Sequence, residues 1–283
     1  MGRIEDAIAR LQASGRAAGG GSSPRRSVGS VRTAEGTDSN ATHVYSKSLI
    51  QIDLAELRRG GVLAPALESS PLVNQYRAIK RPLLRNAAGD VTQTLGNLLL
   101  VSSAFAGEGK TFTCLNLCLS IAQEQDWSVV LVDGDNAKRH LTKLLGAEAQ
   151  PGLIDLLGEP AVPADSLVMP TSIPRLAFLP AGRRHDHATE LLASERMAVI
   201  CRDLAQDHRR MVVFDSAPLL MGSESATLAA QVGQTLLVVR AGHTPQNAVL
   251  EAREKLDQAK PINLVLNQAY FATRSSSYGD YAP

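Results

Sequence analysis

The feature that most constrains the fold is short. Four apolar residues, Leu98-Leu99-Leu100-Val101, run into a loop closing on Gly107-Glu108-Gly109-Lys110-Thr111, and a helical stretch follows. A continuous apolar run bounded in this way reads as a strand buried on both faces. After the loop, Phe112, Leu115, Cys118, Leu119 and Ala122 recur at the helical period and give one packing face. Between strand and helix, the glycines let backbone N–H groups turn toward an anion without obstruction by Cβ, and the helix N-terminus adds partial positive charge. Lys110 can reach the β- and γ-phosphates of a nucleoside triphosphate, and the Thr111 hydroxyl can ligate Mg²⁺. Ala106, Gly107, Glu108, Gly109, Lys110, Thr111 and Phe112 are therefore expected to hold the nucleotide, most simply Mg-ATP. The strict pattern has glycine at 104, where this chain has Ala104. The strand–loop–helix context supplies what the bare motif lacks.

The same alternation recurs downstream. Apolar runs at Val129–Val132, Leu176–Leu179, Met211–Phe214, Leu236–Val239 and Ile262–Leu266 are mostly separated by helix-like segments. Such a pattern predicts an α/β fold, a P-loop NTPase-like parallel sheet with helices on both faces. Upstream, Ser48 to Leu54 alternates partly and is expected to be a strand. Leu72 to Arg85 reads as a helix that Pro82 should end or kink. The globular domain is placed over residues 43–269, with no internal repeat. Before it, residues 1–12 are expected to form a short amphipathic helix with Ile4, Ala7, Ile8 and Leu11 on one face, suited equally to packing on its own domain or to docking a partner. Residues 13–42 are rich in Gly, Ser, Arg and Thr and read as a flexible linker, with Arg25 and Arg26 solvated.

Composition narrows the class. Apolar residues make up 44% of the 283 residues but aromatics only 4%, so Leu, Val and Ala must fill the core. A formal net charge of +1 points to neither nucleic acid nor acidic membrane as a partner. No apolar run approaches the roughly 20 residues that span a bilayer, and the N-terminus has no secretory apolar core. Three cysteines make no disulfide framework. A reducing cytoplasm is the expected home.

Two further runs end in acid: Val129–Val132 leads into Asp133-Gly134-Asp135, and Met211–Phe214 into Asp215-Ser216-Ala217-Pro218. Ligands of an open parallel sheet bind at the carboxyl ends of its strands, which brings three carboxylates beside the phosphate loop. A single such aspartate is usually a cap or turn residue. The pair beside a phosphate loop is far more specific. Mg²⁺ keeps several waters, so Thr111, Asp135 and Asp215 suffice as its protein ligands, acting directly or through water. Asp133 then accepts or orients the proton of an incoming nucleophile, and Lys110 supplies charge.

With those motifs in place, the chain resembles the bacterial tyrosine kinases of the capsule and exopolysaccharide type, P-loop kinases unrelated to the eukaryotic protein-kinase fold. Within them it most resembles the exosortase-associated tyrosine autokinases. The resemblance runs from about Tyr76 to the C-terminus. Gly107-Glu-Gly-Lys-Thr111 resembles the family's Walker A motif, Asp133-Gly-Asp135 its second acidic motif, and Asp215-Ser-Ala-Pro218 its Walker B motif. Leu179-Pro-Ala-Gly182 and Glu190-Leu-Leu192 also look like family segments. Gln75-Tyr-Arg-Ala-Ile-Lys-Arg81 is similar to a Glu-x-x-Arg-x-x-Arg segment linked to ring-like self-association. Asn267 falls where related folds contact adenine. The chain departs from the pattern at Asn74 and Lys80, in Asn136-Ala137-Lys138-Arg139-His140, and at Ala217, which replaces a proline. The resemblance implies ATP and Mg²⁺ as cofactors, Lys110, Asp133, Asp135 and Asp215 as catalytic residues, and a homo-oligomer. It also implies a membrane chain-length determinant, a polysaccharide co-polymerase, as the partner that recruits a cytoplasmic kinase to the inner face of the membrane.

Of five tyrosines, Tyr270, Tyr278 and Tyr281 crowd into residues 270–283, a segment with no core pattern. They are either incidental to a mobile tail or a modifiable cluster. The resemblance implies the second, with these tyrosines as autophosphorylation sites. Each phosphotyrosine adds about −1.5 to −2 charge, so a modified tail should repel its neighbours and loosen an assembly. Two other functions use the same loop: a septum-site or partitioning-type ATPase switch, and a non-catalytic nucleotide-binding regulator of polysaccharide export. The switch class carries a signature lysine where this chain has Phe105.

The remaining candidates read as structural. Cys114 and Cys118, at i and i+4, could share a soft metal but suit a core better, and Cys201 likewise. His185-Asp186-His187 is a solvated loop more readily than a metal pair. Gly242-His243-Thr244-Pro245 follows a strand and is expected to start a helix; the resemblance implies a place near the nucleotide, and it carries no assigned chemistry. Trp127 lies near a strand entrance.

Overall fold

In the computed structural model, residues 48–62, 71–89, 95–159 and 161–269 are described. The expected N-terminal helix, the linker and the tyrosine cluster at 270–283 lie outside them.

Each apolar run forms a strand. These are β1 (Leu98–Ser103), β2 (Ser128–Asp133), β4 (Leu176–Leu179), β5 (Arg210–Asp215), β6 (Gln234–Arg240) and β7 (Ile262–Asn267), with a two-residue β3 (Met169–Pro170) that the sequence did not suggest. The sheet order is β3-β4-β2-β5-β1-β6-β7. All pairings are parallel except β3 with β4. The central strands read as continuous apolar runs because both faces are covered. On β1, Leu98 and Leu100 enter one core with Val130, Val212 and Phe214, while Leu99 and Val101 enter the other with Leu131 and Val213. Burying each such side chain stabilises the fold by about 1.5–3 kcal/mol.

The second core is roofed by α3 (Lys110–Ala122), over which lies α2 (Pro71–Ala88). On the opposite face, α7 (Glu195–Ala205) buries Met197, Ile200, Cys201 and Leu204 at the helical period. Its first turn is capped by Ser194, whose hydroxyl accepts from Met197 N at 3.3 Å. The shorter helices are α1 (Leu54–Arg59), α4 (His140–Leu144), α5 (Leu153–Gly158), α6 (Ala188–Leu192), α8 (Glu224–Gln231) and α9 (Gln246–Glu254). Cys114, Cys118 and Cys201 are buried free thiols.

Two expectations need correction. Ser48 to Leu54 is not a strand. Only Ile50 pairs, in a single bridge to Thr171, and Asp53 then turns the chain into α1 by accepting from Ala55 N and Glu56 N, both at 2.9 Å. A local side-chain cap wins over a ladder with only one bridge. Pro82, expected to end or kink the upstream helix, does not end it, because α2 runs on to Ala88. An interior proline costs about 3 kcal/mol or more. Burial on both sides of it offsets that cost. Leu83 is fully buried, and Lys80 donates to Ser120 O at 2.6 Å and pairs with Glu124 at 2.6 Å, bolting α2 to α3. Lys80, which stands where the resembling family has an interface arginine, is thus committed within its own chain.

Candidate functional site: a nucleotide cleft at the carboxyl edge of the sheet

The loop after β1 meets the ends of β2, β5, β6 and β7 around a cavity of about 1130 Å³. Ala106, Gly107, Gly109, Lys110, Thr111 and Phe112 line it, as do Asp135 and Asn267. The structure therefore brings together most of the residues singled out in the sequence. Glu108, Asp133 and Asp215 stand behind this lining. One wall was not foreseen: α2 contributes Leu72, Gln75, Tyr76 and Ile79. The phenol of Tyr76 is raised well above its ordinary value by burial.

Gly109 is the N-cap of α3 at φ 95°, in the left-handed region, and Gly107 shares that region at φ 80°. A Cβ on Gly109 would also lie 2.0 Å from Asn267 Nδ2. Glycine is required there twice, by conformation and by space. Asn267 Nδ2 donates to Glu108 O at 2.8 Å, so the residue expected near adenine also braces the phosphate loop.

The two acidic strand ends are register neighbours, Asp133 beside Asp215. Gly134 permits this. Its N–H donates to Asp215 O at 2.8 Å, and a Cβ there would sit 2.9 Å from Leu228 and 3.0 Å from that same oxygen. Thr111 Oγ1 donates to Asp215 Oδ2 at 2.8 Å. Asp215 Oδ1 is buried with no hydrogen-bond partner among the described residues. Burial pushes the Asp215 carboxyl up to about 7; Lys110 and the Thr111 hydroxyl pull it down, and neighbouring Asp133 and Asp135 push it further up. Burial in turn lowers the Lys110 ammonium, with Asp215 and Asp135 opposing the shift. Lysine and carboxylate form a site short of a counter-charge and of one ligand.

A hard divalent cation fits the donors gathered here. The Thr111 hydroxyl, the unpartnered Asp215 oxygen and the Asp135 carboxylate are all oxygen donors of the kind Mg²⁺ takes. Among the described residues no group of three or more His, Cys, Asp or Glu side chains could hold a metal. The set therefore suits an ion that arrives with phosphate oxygens and water.

Asp133 has a different place from the one expected. It is 1% exposed, and Oδ2 accepts from Thr142 N at 2.8 Å and Thr142 Oγ1 at 2.7 Å, while Oδ1 accepts from Asp135 N at 3.2 Å. Burial raises it to about 6 against those bonds. It clamps the start of α4 to β2 and does not reach the cavity. The carboxylate that does is Asp135, whose Oδ1 accepts from Lys138 N at 2.9 Å. Thr142 gave no signal in the sequence, because nothing marks a hydroxyl nine residues downstream as a partner.

The divergent segment after Asp135 has work to do. Lys138 and His140 line the cavity. Asn136 Nδ2 donates to Arg183 O at 3.0 Å, and its Oδ1 accepts from His185 N at 3.3 Å, which holds the His185-Asp186-His187 loop beside it. His243, expected near the nucleotide, also lines the cavity, as does Arg240, which was not foreseen.

No family model matches the chain. Its relatives include the tyrosine-protein kinase wzc of Salmonella typhi, 30% identical over 191 residues, covering 67% of this chain and 26% of that protein. The putative tyrosine-protein kinase EpsB of Ralstonia nicotianae is 30% identical over 229 residues, covering 78% of this chain and 29% of its own. The chain thus spans between a quarter and a third of these relatives' length. Among solved structures, the VpsO kinase domain superposes with a TM-score of 0.58 at 29% identity, over 70% of this chain and 97% of that one. Motifs and relatives agree: the chain belongs to the bacterial tyrosine-protein kinases of the capsule and exopolysaccharide type.

Proposed function

We propose that the chain is an ATP-dependent protein-tyrosine autokinase that phosphorylates its own C-terminal cluster, Tyr270, Tyr278 and Tyr281, and thereby regulates exopolysaccharide polymerisation or export. The observation that carries this is the pairing of Thr111 with Asp215 beside Lys110, with one buried Asp215 oxygen unpartnered among the described residues. That set is complete only with a metal-bound triphosphate.

In this reading the glycine loop and the N-terminus of α3 grip the phosphates, Lys110 bridges β- and γ-oxygens, and Asn267 with Arg240 bounds the base end. Thr111, Asp215 and Asp135 would hold Mg²⁺, which supplies charge neutralisation at the transferring phosphoryl group. The phenol oxygen attacks the γ-phosphorus, the bond to the β,γ-bridging oxygen breaks, and ADP leaves. A phenol has pKa near 10, so its proton must depart during transfer. Asp135, the carboxylate that lines the cavity, would receive it if it holds the metal through water, with Asp133 orienting Asp135 through the backbone. Alignment and charge matter more here than covalent help.

Among the described residues no helix is long and apolar enough to cross a membrane. A homo-oligomer working beside a membrane chain-length determinant, on the cytoplasmic face, completes the proposal. The test is incubation with Mg-ATP and mapping of phosphotyrosine by mass spectrometry, with Lys110→Met and a triple Tyr→Phe tail as controls. Phosphate on the tail, absent in both controls, is expected. Hydrolysis without phosphotyrosine, even with the membrane activator, would favour the ATPase-switch reading instead. Sizing before and after ATP treatment should show a smaller assembly once the tail is charged.

A further inference from the structure

We propose that Thr244, on the turn after β6, is a positioning residue for nucleotide binding that acts through the buried side chain of Glu108. The inference rests on the reading that the cavity holds a nucleoside triphosphate. It goes further by assigning a role to a residue outside the phosphate loop and the acidic strand ends.

A carboxylate inside a loop that must hold a triphosphate is electrostatically adverse, since like charges a few ångströms apart repel strongly where water is scarce. Glu108 is nevertheless only 3% exposed, and its side chain turns away from the cavity. Its Oε2 accepts from Phe105 N at 2.9 Å, closing the loop on itself. Its Oε1 accepts from the Thr244 hydroxyl, and its backbone carbonyl accepts from Asn267 Nδ2 at 2.8 Å. One residue therefore joins the loop after β1 to the ends of β6 and β7.

Thr244 is built to make this bond in one direction. Its backbone N donates to Arg240 O at 3.0 Å, fixing the turn, and its hydroxyl oxygen accepts from Arg240 N at 3.0 Å. With that lone pair engaged, the hydroxyl hydrogen is free for Glu108. The carboxylate accepts it as a charge-assisted bond, shorter and stronger than a neutral one. Arg240, His243 and Asn267, which bound the far end of the cavity, are in this way held at a fixed offset from the phosphate cradle. A ligand with both a base and a triphosphate would feel that offset, because its two ends must be satisfied at once.

The experiment is titration of the full chain with a fluorescent ATP analogue, alongside thermal unfolding of each unliganded variant. Thr244→Val keeps the shape and removes the hydroxyl. It should weaken affinity about tenfold, the loss expected for one charge-assisted hydrogen bond, and it should also lower the unliganded unfolding midpoint, because the bond to buried Glu108 is made without ligand. Thr244→Ser should restore affinity to within about twofold. Glu108→Ala should weaken binding at least as much, and adding Thr244→Val to it should weaken it no further, since both remove one interaction. Parent-like affinity in Thr244→Val, failure of serine to rescue, additive losses, or a fall in stability with unchanged affinity would each overturn the proposal. Should the parent chain itself not bind the analogue, the nucleotide reading fails first, and the result is distinguishable from these.

Discussion

Asp133 and Asp215 end adjacent strands, face each other in register, and are both almost wholly buried. They differ in what holds them. Asp133 accepts three hydrogen bonds, two from Thr142 and one from Asp135 N. Asp215 accepts one from Thr111 through Oδ2 and leaves Oδ1 unpartnered among the described residues. Hydrogen bonds to a satisfied buried carboxylate offset much of the cost of its burial. A half-satisfied one is adverse until something arrives, and it marks where a ligand is expected. The sequence presents these two residues alike, each an aspartate after an apolar run, and partners distant along the chain separate their roles.

The sharpest way to break this contrast is to neutralise each aspartate in turn. Asp215→Asn should reduce tyrosine phosphorylation by roughly a thousandfold or more, the scale of losing a principal electrostatic group at the transferring phosphate. Its unliganded unfolding midpoint should hold or rise, because a desolvated charge is gone. If that variant unfolds more readily than the parent, the contrast between the two acids is wrong. Next in size, Gly109→Ala should cut affinity for ATP by about a hundredfold, since it adds a left-handed non-glycine residue, costing about 1–2 kcal/mol, to a collision with Asn267. Titration with labelled nucleotide checks this, and the Gly109→Ala/Asn267→Ala double variant should recover only the steric part.

Thr142→Val should behave oppositely to Asp215→Asn. It removes one hydroxyl donor from Asp133, and loss of a bond to a buried charged group costs about 1.5–3 kcal/mol. Denaturant unfolding should show that loss, with ATP affinity within about threefold. A Thr142→Val chain that is stable but fails to bind ATP would place Asp133 in the binding machinery after all.

Stability should also depend on pH. Burial raises Asp215 to about 7, above the ordinary carboxylate value of 3.8, so between those pH values the unliganded folded protein holds a proton that the unfolded chain has released. Stability from this group is fully present below about pH 4 and is lost as pH rises through about 7. Asp133, raised to about 6, loses its smaller share earlier in the same window. Asp215→Asn should therefore match the parent near pH 4 and gain on it toward pH 8, as read from paired unfolding curves. A difference that does not vary across that range would mean that Asp215 is ionised throughout.

Much of the sheet was legible because burial on both faces writes each strand as an unbroken apolar run. Leu98–Val101, Val129–Val132 and Met211–Phe214 all became strands at the centre of the sheet. The carboxyl-edge rule then gathered the loop and the acidic ends. What resisted reading depends on partners far apart in the chain. Pro82 is carried by Lys80 and Leu83 packing under another helix. Met169–Pro170 becomes an edge strand only because β4 lies beside it. Ile50 pairs across 121 residues with Thr171, too briefly to make its neighbours a strand. The hydroxyls of Thr142 and Thr244 sit in segments with ordinary local patterns, and their value lies in which carboxylate they meet.

The amide of Asn267 occupying the space above Gly109 has an evolutionary consequence. Positions 109 and 267 cannot drift independently. Any residue larger than glycine at the first displaces the second, and a change at the second that removes its amide releases Glu108 O. Mutational paths through this region are therefore epistatic, with the end of the last strand conditioning what the phosphate loop will tolerate.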